Sequence, residues 1–286
     1  MIRGIVASSR PISWVNTAYP FAAAFLLAGG GVDWRLAVGT VFFLFPYNLL
    51  MYGINDVFDY ESDLRNPRKG GIEGALLSRQ SHKALLVACV ACAVPFLVVL
   101  AAAGSLVANL VLAVSIFAVL AYSAPWLRFK ERPGLDSLTS AVHFVSPAVY
   151  GWVLAGASVQ PGQWLVFGAF LLWGMASHAL GAIQDIIPDR QGGLSSIATA
   201  LSARTTIWLV LAGYVLAGVL VVAGVQGIGR WASLLALPYV LNVLPHLGVS
   251  DASSGTVNRG WKRFLWINYL CGFLLTMLLI FSALFT

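Results

Sequence analysis

Apolar residues in this chain run in long blocks separated by short polar connections. They do not alternate as in a half-buried strand, nor form the narrow stripe of a surface helix. Each block reaches or exceeds the roughly 18 residues that a helix needs to cross the hydrocarbon core of a bilayer. Nine such stretches are read, at about 14–31, 35–54, 83–103, 105–123, 137–157, 163–183, 205–225, 230–249 and 264–284. Only helices and closed barrels satisfy their backbone polar groups inside a membrane, and blocks of this length are helical rather than strand-like. The expectation is therefore an all-α, polytopic membrane bundle of nine transmembrane helices. Because the connections are short, residues 1–286 are read as one domain.

Composition agrees, with 59% hydrophobic and 10% charged residues and a mean hydropathy of +0.84. The charges that remain are unevenly placed, and cytoplasmic loops are the ones that collect Lys and Arg. Arg3 and Arg10 precede the first stretch; Arg65, Arg68, Lys69, Arg79 and Lys83 follow the second; Arg128, Lys130 and Arg132 follow the fourth. Arg190 and Arg204 follow the sixth, and Arg259, Lys262 and Arg263 follow the eighth, whereas the alternate loops hold only Arg35 and Arg230. This alternation predicts a cytoplasmic amino terminus and, after nine spans, a carboxyl terminus outside. The formal charge of +6 is then mostly a topology signal and does not point to nucleic acid. The first stretch is too long for a cleavable signal and lacks a small-residue exit, so it is read as a retained anchor. Arg10-Pro11 ahead of Trp14 reads as an interfacial anchor in preference to a ligand contact. Cys89 and Cys92 fall inside one stretch and Cys271 inside another, which suits packing better than redox or metal chemistry.

Against this background the acidic residues stand out, because six of the eleven lie in two clusters. One is Asn55-Asp-Val-Phe-Asp-Tyr-Glu-Ser-Asp63 at the end of the second stretch; the other is Asp185-Ile-Ile-Pro-Asp189 at the end of the sixth. Ionisable groups beside membrane spans are costly and are read as functional. On one helix Asp56, Asp59 and Asp63 share a face with Asn55 beside it, and Asp185 and Asp189 share a face if their helix survives Pro188. Carboxylates in a row repel unless a cation sits among them, and a hard divalent ion shared with a substrate phosphate, usually Mg²⁺, answers that need. Cations lie close by in sequence. The Gly-rich segment after the first cluster carries Arg68 and Lys69, and Tyr122-Ser-Ala-Pro-Trp-Leu-Arg-Phe-Lys130 carries Arg128 and Lys130. Each could clamp a diphosphate. His143 with Tyr150, and His178 one heptad before Asp185, are read first as packing residues. Both clusters are followed by an Arg and a Gly-Gly pair, an echo that suggests two similar halves facing one cavity.

Two carboxylate clusters with cations beside them, below a large apolar bundle, call for a substrate with a phosphate head and a greasy tail. An isoprenyl diphosphate is such a molecule. A transporter would place its carboxylates near the bilayer midplane, whereas here both clusters are expected at the cytoplasmic face, where the site would open.

Asn55-Asp-x-x-Asp-x-x-x-Asp63 together with Asp185-x-x-x-Asp189 resembles the paired aspartate motifs of the UbiA-type intramembrane prenyltransferases. The Tyr122–Lys130 segment and the nine-span pattern fit as well. The resemblance implies a bundle around a central cavity and two Mg²⁺ ions held by Asp56, Asp59, Asp63, Asp185 and Asp189. It further implies transfer of a prenyl group to a lipophilic acceptor, with Asn55, Arg68, Lys69, Tyr122, Arg128 and Lys130 at the diphosphate. The continuation Asn66-Pro-Arg-Lys-Gly-Gly-Ile-Glu-Gly74 is similar to that of the lycopene elongases of bacterial C50 carotenoid biosynthesis. That implies dimethylallyl transfer to lycopene, ahead of an aromatic or quinone precursor.

The orientation is directly testable. Reporter fusions after the second, fourth, sixth and eighth stretches should report cytoplasm, and a carboxyl-terminal fusion the outside; a cytoplasmic carboxyl terminus would show that a span has been miscounted.

Overall fold

The computed structural model describes residues 2–64 and 76–285, apart from the side chains of Ser62 and Asp63. All regular structure among these residues is helical. The α-helices are α1 (Ile2–Ser8), α2 (Val15–Leu27), α3 (Trp34–Leu44), α4 (Pro46–Phe58), α5 (Tyr60–Asp63), α6 (Arg79–Ala103) and α7 (Leu106–Ser123). They continue as α8 (Leu135–Leu154), α9 (Pro161–Ile183), α10 (Ile186–Gln191), α11 (Ile197–Leu201), α12 (Ala203–Gly224), α13 (Ala236–Val243) and α14 (Asn258–Phe285). Among the described residues, seven helical segments are long and apolar enough to cross a membrane, and Val15–Leu27 is a shorter apolar helix. The chain is a multi-pass membrane protein. The helix at the fifth expected stretch, α8, is the polar one, burying Asp136, Ser137, Thr139, His143 and Ser146.

Contacts divide the chain into two compact units, Met1–Phe129 with Val142–Val159, and Lys130–Ala141 with Gln160–Thr286. The first is packed around aromatic rings. Phe21, Phe42, Phe43, Tyr47 and Tyr150 are all fully buried, with centroids 5.2 Å apart for Phe21 and Phe43 and 5.1 Å for Phe43 and Tyr47. Gly53 of α4 lets α6 approach closely, since a Cβ there would meet Cys89 Sγ at 2.7 Å. Cys89 in turn donates its S–H to the Leu49 carbonyl, and the three cysteines are free.

The second expected stretch is two helices. Phe45 leaves helical geometry (φ −120°, ψ −60°) ahead of Pro46, which has no N–H for the carbonyl four residues back and whose ring crowds it. A break within an apolar region strands backbone carbonyls that water cannot reach, and unpaired groups there are costly. Buried side chains fill the gap. Asn48 Nδ2 donates to the Phe43 carbonyl at 2.8 Å and the Leu44 carbonyl at 3.1 Å. Thr17 Oγ1 donates to Phe43 O at 2.6 Å and accepts from Asn48 Nδ2 at 2.7 Å.

In the second unit α9 packs along α12 through small residues, as membrane helices do. A Cβ on Gly162 would meet the Gly224 carbonyl at 2.7 Å, and one on Gly224 the Gly162 carbonyl at 2.6 Å. The same unit holds an aromatic group of Trp173, Tyr214, Tyr239, Trp261 and Phe264, with Trp261 stacked on Phe264 at 5.0 Å. The eighth expected stretch is more irregular than a single α-helix. It runs as a 3-10 segment at Gly227–Leu235, then α13, then a further 3-10 turn at Leu244–His246, with Pro238 and Pro245 each removing a backbone donor.

Removing the amide at the α3–α4 break should be costly. Asn48→Ala is expected to destabilise the protein by about 1–3 kcal/mol, measured by unfolding in detergent. Gly31→Ala, whose Cβ would meet nothing within 4 Å, should be close to neutral.

Candidate functional site

The first carboxylate cluster sits where α4 ends. Asp56 lies in its last turn and Asp59 is its C-cap, with the Asp59 N–H donating to the Asn55 carbonyl at 2.9 Å. The chain then starts the short α5, so the single helical face expected for Asp56, Asp59 and Asp63 is interrupted after Phe58. Asp56 and Asp59 remain neighbours, being three apart at the end of one helix. Both are buried, at 5% and 6% exposure, and positive and polar groups surround them. Arg10 Nη2 donates to Asp56 Oδ1 at 3.2 Å, and its guanidinium lies 4.2 Å from the Tyr52 ring centroid. Asn55 Nδ2 donates to Asp59 Oδ2 at 2.6 Å and to the buried Ser123 hydroxyl at 3.1 Å. Arg128 Nη2 is 4.0 Å from Asp59 Oδ1.

Backbone strain marks the same two arginines. Among the described residues three non-glycine residues have positive φ, and two of them are Arg10 (49°) and Arg128 (41°). Left-handed geometry costs a residue with a Cβ on the order of 1–3 kcal/mol, and such strain gathers at functional sites. Here it coincides with the two guanidinium groups placed beside Asp56 and Asp59. Tyr122, one residue before Ser123, meets His143 edge-on with ring centroids 5.4 Å apart.

The second cluster follows α9. Gln184 is the C-cap of that helix and Asp185 the N-cap of α10. The Asp189 N–H donates to the Asp185 carbonyl at 2.8 Å, so the helical register between the two aspartates survives Pro188. Lys130 belongs to this unit. Burial pulls its ammonium down to about 8, against the opposing pull of the Glu131 and Asp189 carboxylates. Within the first unit Arg128 stands beside Asp59, and within the second Lys130 lies within electrostatic reach of Asp189. His178 is engaged through Nδ1 with the Ser137 hydroxyl at 3.1 Å. Ser137 follows Asp136, whose fully buried carboxylate accepts from the Ile197 N–H at 2.7 Å.

Arg68 and Lys69 lie outside the described residues, as does the side chain of Asp63. Among the described residues no three His, Cys, Asp or Glu side chains gather tightly enough to hold a metal ion by themselves. Arg10 was read as an anchor, and the structure pairs it with Asp56 across 46 positions of sequence. Ser123 carried no signal beyond its place in the Tyr-Ser-x-Pro run.

The chain matches the UbiA prenyltransferase family over residues 17–268. It is 56% identical over 277 residues to a C(50) β-cyclic carotenoids biosynthesis protein of Dietzia sp. (strain CQ4), covering 97% of this chain and 64% of that longer protein. It is 53% identical over 279 residues to a lycopene elongase/hydratase of Corynebacterium glutamicum, covering 98% of this chain and 97% of that one. In fold it is similar to a UbiA homolog from Archaeoglobus fulgidus bound to DMAPP and Mg²⁺, with a TM-score of 0.68, 18% identity, and coverage of 93% and 98%.

The Arg10–Asp56 pair sets an expectation for stability. Removing one partner of a buried pair strands the other charge, so Arg10→Gln should cost about 3 kcal/mol. Asp56→Asn combined with Arg10→Gln should recover much of that loss in thermal unfolding of the detergent-solubilised protein.

Proposed function

The chain belongs to the UbiA prenyltransferase family and is a prenyltransferase; from that premise we propose that it moves a dimethylallyl group from dimethylallyl diphosphate to lycopene in C50 carotenoid biosynthesis. The geometric observation that carries the chemistry is the buried Asp56–Asp59 pair, faced by two arginines held in left-handed backbone. The acceptor rests on near full-length identity to a lycopene elongase/hydratase. It is supported by the scarcity of cations within the apolar stretches. An aromatic acid would need a buried cation for its carboxylate, whereas a hydrocarbon needs none.

The residues present suit Mg²⁺. It takes oxygen ligands, keeps several waters, and is bound by one or two carboxylates together with substrate phosphate oxygens rather than by an all-protein cage. Asp56 and Asp59 offer the hard carboxylate oxygens that Mg²⁺ prefers, both buried at the end of α4. We assign Asp56, Asp59, Asp63, Asp185 and Asp189 to two such ions. When bound, Mg²⁺ neutralises charge that builds on the departing diphosphate.

The chain's own groups do the rest. Arg128 and Lys130, with Arg68, Lys69, Asn55 and Tyr122, hold the diphosphate and favour heterolysis of the allylic C–O bond, whose electron pair leaves with the oxygen. The π electrons of the terminal double bond of lycopene form the new C–C bond to the allylic cation. The positive charge then on the acceptor is discharged by loss of a proton to solvent, or by addition of water followed by loss of a proton from the resulting oxonium. In the reading proposed here nine spans place the amino terminus in the cytoplasm, the carboxyl terminus outside, and the site open to the cytoplasmic face of one catalytic domain.

The test is to incubate membranes with dimethylallyl diphosphate, Mg²⁺ and either lycopene or 4-hydroxybenzoate and identify products by mass. Lycopene heavier by five-carbon units is expected, with turnover lowered on the order of 10²-fold or more in Asp59→Ala and Asp185→Ala. Prenylated 4-hydroxybenzoate with unchanged lycopene would overturn the acceptor, and full activity in both variants would overturn the mechanism.

A further inference from the structure

We propose that the segment Asp251–Asn258 is a brace that positions the second aspartate motif, with Asp251 acting through Arg190 and Asn258 through Gln184. The proposal rests on the reading of Asp185 and Asp189 as ligands of the metal and diphosphate. Sequence alone marks this segment only as a polar loop between apolar stretches.

The contacts bracket the motif on both sides. Immediately before Asp185, the buried Gln184 accepts through Oε1 from Asn258 Nδ2 at 2.5 Å. Immediately after Asp189, Arg190 Nη1 pairs with Asp251 Oδ2 at 2.7 Å, and Arg190 Nη2 donates to the Thr199 carbonyl at 3.1 Å. The other oxygen of Asp251 is fixed as well, accepting from the Ala203 N–H at 2.7 Å where α12 begins. Asp251 and Asn258 are joined by continuous helical structure, a 3-10 helix at Asp251–Val257 running into α14.

Physical reasons make such a brace necessary. The six-residue α10 is too short to hold its own shape, because a single helical turn is unfavourable in isolation. Asp185 and Asp189 stand at i and i+4, where like charges repel. Their spacing must therefore be imposed by neighbouring structure before a cation arrives. The brace does this without serving as an anchor for the whole fold: the Arg190 and Asp251 side chains are 47% and 32% exposed, and an ion pair so solvated adds little to global stability. Its effect should fall on the site.

Asp251→Asn tests this cleanly, since the amide oxygen can still accept from Ala203 while the charge facing Arg190 is gone. Mn²⁺ binding to the full-length, detergent-solubilised protein with the thiolodiphosphate analogue of the donor is read by electron paramagnetic resonance, beside steady-state kinetics. Metal affinity should weaken by about 10-fold in Asp251→Asn and in Arg190→Gln. kcat/KM for dimethylallyl diphosphate should fall with it, while KM for lycopene stays unchanged. The double variant Asp251→Asn with Arg190→Gln should be no worse than either single one. If Asp251→Asn does not fold, Arg190→Gln and Asn258→Ala carry the same test. Wild-type metal affinity in the folded variants, or equal changes in KM for donor and acceptor, would overturn the brace while leaving the prenyltransferase reading intact. Wild-type protein that neither binds Mn²⁺ with the analogue nor transfers a prenyl group would overturn that reading and the brace with it.

Discussion

Carboxylates buried beside a membrane must be compensated, and the first unit is arranged around that requirement. Asp56 and Asp59, nearly without solvent exposure, could not stay ionised together in an apolar bundle unless positive charge and donors surrounded them. Arg10 comes from the segment before α2, Asn55 from the preceding turn of α4, and Arg128 from the chain after α7. Two of these three residues hold backbone geometry that a side chain disfavours. The surrounding packing overrides that local cost and holds the two guanidinium groups beside the carboxylates.

The same logic governs the helix breaks. In water a proline break is sealed by solvent; in an apolar interior the freed carbonyls must find protein donors. Asn48 and Thr17 supply them at Phe45–Pro46, and α4 then runs from that fixed point to Asp56 and Asp59. The polar residues of the apolar stretches are thus divided between backbone repair and charge chemistry. In the second unit Asp136 does the same repair, its carboxylate accepting from the Gly134, Ser137 and Ile197 N–H groups.

Family membership, the prenyltransferase reaction class and the multi-pass helical build were legible in the sequence because each depends on local pattern. Uninterrupted apolar length requires helices in a bilayer, and clustered carboxylates at the ends of such helices call for cations and phosphate. Pro46 was visible as a residue, but its effect was not read from an apolar run that continues straight through it.

What the sequence by itself determined is which residues carry charge and on which helices they stand; what only the tertiary structure decided is which of them meet. Arg10 read as an interfacial anchor because its neighbours in sequence are Pro11 and Trp14, yet it is paired with Asp56. Asp251 read as an ordinary loop residue and is the partner of Arg190. Arg128 and Lys130, two positions apart, attend different carboxylate clusters in different units. Helical periodicity reports the face a residue occupies within its own element. Charge pairing between elements depends on how the chain returns through space, and no local pattern encodes that.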